Sequence, residues 1–109
     1  MLSEHRKIDL VAHDPKSDRV ILAMVEERPW GERGELLPDL QEKLNTYLGY
    51  ALGGQLAKDY PAMKDKKVSV LLQTKYPIAE REEHFVEIVK KKHLDPRDIS
   101  WAVRLLGKS

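Results

Sequence analysis

Residues 20–25, Val20-Ile21-Leu22-Ala23-Met24-Val25 (VILAMV), run wholly apolar between Arg19 and Glu26. Whether they are helix or strand decides the fold. A run so short and so rich in β-branched residues reads as a strand with both faces covered. Upstream, Ile8, Leu10 and Ala12 alternate with Asp9, Val11 and His13, the pattern of a half-buried strand. The turn formers Asp14-Pro15-Lys16-Ser17-Asp18 separate the two, so a hairpin is the simplest pairing. Pro29 ends the second strand, because proline cannot continue a central ladder. Residues 31–35 (GERGE) read as an exposed loop.

A long helical pattern follows. Pro38 suits its first turn and Asp39 the positive end of its dipole. Leu37, Leu40, Leu44, Leu48, Leu52 and Leu56 recur every three or four residues, a stripe that should pack on the sheet. Tyr60-Pro61 closes the helix. Residues 64–67 form a basic loop and residues 68–74 a third strand. From Ala79 to about His93 a second helix turns Phe85, Ile88 and Val89 inward. Its acidic start (EREE, 80–83) and basic end (KKK, 90–92) complement its dipole. Residues 99–105 alternate and read as the last strand. The order ββαβαβ predicts an α+β fold: one four-stranded sheet with two helices, most simply on one face. Residues 1–109 read as one domain with a core over about 8–105. Strand order is open at this level.

Nineteen Lys and Arg stand against 18 Asp and Glu, a net charge of +1. That balance argues against nucleic acid or an anionic membrane as main partner, since excess positive charge holds both. The basic segments lack the interleaved aromatics of a single-strand binder. The absence of cysteine excludes disulfides and thiolate metal sites and fits a reducing compartment. No signal-like run opens the chain, and no stretch approaches about 20 apolar residues. The expectation is a cytoplasmic protein. His5, His13, His84 and His93 give no i, i+4 pair, so no metal site is assigned. No phosphate-binding glycine loop or Gly-x-Ser-x-Gly elbow exists, so neither a cofactor nor a catalytic residue is assigned.

Glycine costs about 1 kcal/mol in a helix interior relative to alanine. On an unbroken helix, Gly49, Gly53 and Ala57 line its back, with Thr46 and Tyr50 beside them and Trp30 at the rim. A narrow, uncharged helix back suggests a surface for a second copy of the chain or for another protein. The competing reading ends or kinks the helix at Gly53-Gly54. Gln55 sharpens the choice: on a straight helix it falls inside the leucine stripe, where a buried amide needs partners. Trp30 likewise has a bland reading, folding back to cap the core.

The segments IDLV, VILAMVEERPW, LLPDLQEKLNTYLGYALGGQLAKDYP and KKVSVLLQTKYPI resemble an uncharacterised bacterial domain family over about residues 8–105. Leu40-Gln41-Glu42-Lys43-Leu44-Asn45-Thr46-Tyr47 is the most specific part. The chain departs from the family pattern at Glu26-Glu27, where many members carry Asp-His, and at Gly54-Gln55, where many carry Gly-Glu. The resemblance implies a compact bacterial domain and no known function. Together these readings predict a non-enzymatic protein-interaction domain, homodimeric or hetero-partnered through the glycine-lined helix back. The alternative is a small-ligand binder or enzyme with Glu26, Glu27, Asn45 and Gln55 at a cleft.

Overall fold

The hairpin forms as its turn chemistry dictates: β1 (Leu10–Asp14) and β2 (Arg19–Glu26) pair antiparallel in a computed structural model that describes residues 1–107. Asp14 braces the turn, accepting bonds from Lys16 N–H and the Ser17 hydroxyl. The chain then forms α1 (Leu37–Leu52), α2 (Gln55–Asp59), β3 (Val68–Thr74), α3 (Glu80–Val89) and β4 (Ser100–Leu105). A π-helical turn, Lys90–Leu94, extends α3. The sheet order is β1-β2-β3-β4, with β2, β3 and β4 parallel. This is the four-stranded α+β fold that the element order implied.

Strand alternation sorts the sheet into two faces. Val20, Leu22 and Met24 of β2 and Val68, Val70 and Leu72 of β3 join one buried cluster. Leu40, Leu44 and Tyr47 of α1, Leu56 of α2 and Val86 of α3 belong to the same cluster, so the helices share one face of the sheet. Each such aliphatic side chain stabilises the fold by about 1.5–3 kcal/mol when fully buried. The opposite face carries Leu10, Ala12, Ile21, Ala23, Val25, Leu71 and Ala102, all outside that cluster.

Several sequence expectations need correcting. Only one face of β2 is covered by helices, not both. In β1 it is Val11 that packs on the core, while Leu10 is 52% exposed. The leucine stripe drifts by about 40° per four-residue step. By Leu52, 55% exposed, it has left the sheet. The inward face of α1 is instead Leu40, Lys43, Leu44 and Tyr47. In α3, Val86 and Glu82 are buried and Ile88 is exposed.

The long helix is broken at the glycine pair. Gly53 N–H bonds Gly49 O and ends α1, and Gly54 sits at φ +90°, a left-handed conformation that a side chain disfavours. A Cβ on Gly53 would lie 2.7 Å from Gly49 O. The break returns Leu56 to the core and frees Gln55, whose amide bonds Asp59 on the surface.

Candidate functional site

The residues expected on the helix back do not form one groove. Gly49 is exposed and a Cβ there would meet nothing within 4 Å. Ala57 lies on α2, beyond the break. Thr46 turns its hydroxyl to Glu42 O within the helix. Tyr50 packs partly on the core and bonds Asp59; burial, with the Asp59 carboxylate second, pushes its phenol up to about 12. Trp30, expected at the rim, is only 4% exposed and donates its indole N–H to Tyr76 O. It caps the core, because a large apolar ring with a satisfied N–H is stable there.

The four expected cleft residues also part company. Glu27 is exposed, and Gln55 bonds its own helix. Asn45 lines a small cavity of about 80 Å³ between α1 and α3, beside Leu48, Phe85 and His93. Glu26 is buried and belongs to a polar cluster on the other side of α1.

That cluster is the main concentration of chemical groups. Lys43 and Tyr47, one helical turn apart, both point at the sheet. Lys43 Nζ donates to Asp9 Oδ1 (2.8 Å), Met1 O (2.8 Å) and Glu4 O (3.2 Å), so all three ammonium protons are used. Tyr47 donates to Ala23 O (2.6 Å) and accepts from Asp9 N–H (2.8 Å), while Asp9 Oδ2 accepts from Val25 N–H. Side chains thus continue the β1–β2 ladder where the backbones diverge. Burial drives the Tyr47 phenol well above its usual range.

Next to it, Glu26 accepts from Arg28 Nε and from Leu2 N–H, Arg28 reaches Asp39, and Asp39 meets His5 at 2.7 Å. Burial pushes the Glu26 carboxyl up, but the Arg28 bonds and charge together outweigh it and hold it below its ordinary value. Asp39 is held low chiefly by its bond to His5, against burial and with help from Arg28. Through these contacts residues 1–9 lie strapped over α1, with Leu2 fully buried. The donors and acceptors face each other and satisfy one another as an internal clasp.

The open sheet face differs in kind. Register aligns Leu10, Ala23, Leu71 and Ala102 in one row across all four strands. Ala12, Ile21, Ser69 and Ser100 form the next row, and Val25, Gln73 and Arg104 the row beyond Leu71. Arg19 lies across this surface, tied to Ser69 Oγ, Val68 O and Asp98 O. The result is a broad surface with an apolar centre and a polar rim.

A family model described as a family of unknown function matches residues 1–106. The chain belongs to this family, DUF6572. No curated protein and no solved structure matches it. In this DUF6572 chain, the Leu40–Tyr47 stretch supplies Lys43 and Tyr47, the two side chains that tie α1 to β1 and β2. Sequence reading passed over both, although a Lys and a Tyr four apart beside core leucines were the available signal. No helix among the described residues is long and apolar enough to cross a membrane.

Proposed function

We propose that this chain is a cytoplasmic bacterial protein-interaction domain, without enzymatic activity, whose contact surface is the open face of the sheet. One observation carries the reading: the apolar row Leu10–Ala23–Leu71–Ala102 and its neighbours Ile21 and Val25 lie outside the helix-covered cluster, on the face opposite the helices, although Ala23 itself is fully buried. A monomer's largest apolar patch is commonly about 300–600 Å² and often functional. Apolar centre with polar rim is also the anatomy of a protein interface. The buried polar groups support the non-enzymatic half, since the clasp uses them internally. The near-neutral net charge of +1 favours a protein partner over nucleic acid.

The absence of native cysteine allows a clean test. Ala102→Cys, on the face, and Glu83→Cys, on exposed α3, would each be labelled by a maleimide in cells and in dilute purified protein. The reading predicts that Cys at position 102 is protected at least tenfold in cells relative to the dilute protein, and Cys at position 83 is not. Equal labelling of position 102 in both settings would remove this surface from consideration.

A further inference from the structure

We infer that the occupant of the open face is a second copy of this chain, stacked face to face with its strands crossed near a right angle. The inference rests on the reading of that face as a contact surface. The sequence itself writes the edge strand β1 and its neighbour β2 for a covered face. In β1 the apolar alternation points Leu10 and Ala12 outward, and β2 is apolar on both sides through Ile21, Ala23 and Val25. Continuous apolar strands belong in sheets covered on both faces.

The dimensions suit self-pairing. Four strands about 4.8 Å apart and about six residues long give roughly 19 by 20 Å, or about 400 Å² per copy in projection. Two copies, with side-chain relief added, approach about 1,000–1,200 Å², the lower end of specific interfaces. That size fits a reversible dimer better than an obligate one. The uncharged centre also meets its own image without repulsion, as an isologous contact requires.

Charge selects the angle. By alternation, Asp14 ends β1 at one corner of the face, and Arg104 lies on β4 at the diagonally opposite corner. Arg104 is exposed and has no ion pair among the described residues. In a face-to-face pair the two-fold axis lies in the interface plane. An axis along the other diagonal sets each copy's Asp14 over its partner's Arg104, and the strands then cross in the orthogonal class of sheet packing. An axis along the strands brings no such pair together.

Sedimentation velocity on the purified chain over about 1–200 µM tests this. The expected result is a concentration-dependent shift to twice the chain mass. Leu71→Glu and the gentler Ala102→Glu should each leave only monomer, with circular dichroism melts showing that both remain folded. Leu52→Glu, on exposed α1, should leave the dimer intact. Asp14→Arg should weaken association at least tenfold, and adding Arg104→Asp should restore it. A monomer throughout the range, or a dimer indifferent to both face variants, overturns self-pairing. A dimer indifferent to the charge swap overturns the crossed arrangement. A purified monomer whose position 102 is nonetheless protected in cells would sink this inference and leave the contact surface standing for another protein.

Discussion

Lys43 shows how a charge can be buried with its hydrogen bonds satisfied. Its ammonium is fully enclosed, yet every proton has an oxygen, one of them the Asp9 carboxylate. Lys43→Met would strip the Asp9 carboxylate of its 2.8 Å lysine partner and remove a donor from Met1 O and Glu4 O. Loss of one member of a buried pair costs about 3–5 kcal/mol, and urea unfolding should report a deficit of that size. Tyr47→Phe leaves Ala23 O and Asp9 N–H unsatisfied, which predicts a smaller loss of about 1–3 kcal/mol in the same assay. The glycines separate by the same reasoning. Gly49 is helical with open space where a Cβ would go, so Gly49→Ala should stabilise the chain by about 0.5–1 kcal/mol. Gly54, at φ +90°, should respond oppositely: Gly54→Ala predicts a loss of about 1–2 kcal/mol. Melting temperatures moving the same way for both would contradict the helix break.

At the level of elements, the N-terminal strap is held to α1 and β2 through Glu26, Arg28, Asp39 and His5. Glu26 and Asp39 are both held below their ordinary values of 4.5 and 3.8. A depressed carboxyl contributes stability that is fully present above its unfolded value and is lost as pH falls through the folded one. Thermal melts should therefore fall steeply below about pH 4.5, and Asp39→Asn should flatten part of that decline. An unchanged acid profile in that variant would show that the clasp does not couple to folding. The elements themselves were legible because each left a local signature: VILAMV for β2, the alternating Val68–Thr74 for β3, turn residues 14–18 for the hairpin. The side of α1 that faces the sheet was not. Leucine spacing gave Leu48 and Leu52 the same weight as Leu40 and Leu44, and it assigned no inward place to Lys43 and Tyr47. Their burial depends on Asp9, Ala23 and the strap, partners 24 to 42 residues away that no local pattern displays. The helix break was readable as an alternative, because Gln55 in the leucine stripe already conflicted with a straight helix.

Across the whole molecule, helices on one face leave the other face of the sheet apolar, and this asymmetry connects the fold to its proposed role. The two strand patterns that local reading placed against a core, Leu10 and Ala12 in β1 and both sides of β2, are explained together if the missing cover is another copy of the chain. A pair of side chains provides an internal control. Leu10, on the sheet face, and Leu52, on α1, are 52% and 55% exposed within one chain. Methyl NMR spectra of the purified protein at about 200 µM with a soluble paramagnetic probe would compare them directly. The account predicts strong attenuation of the Leu52 methyls and protection of Leu10, with Ile21 and Leu71 protected alongside it. Equal attenuation of Leu10 and Leu52 would contradict it, for then nothing covers the face.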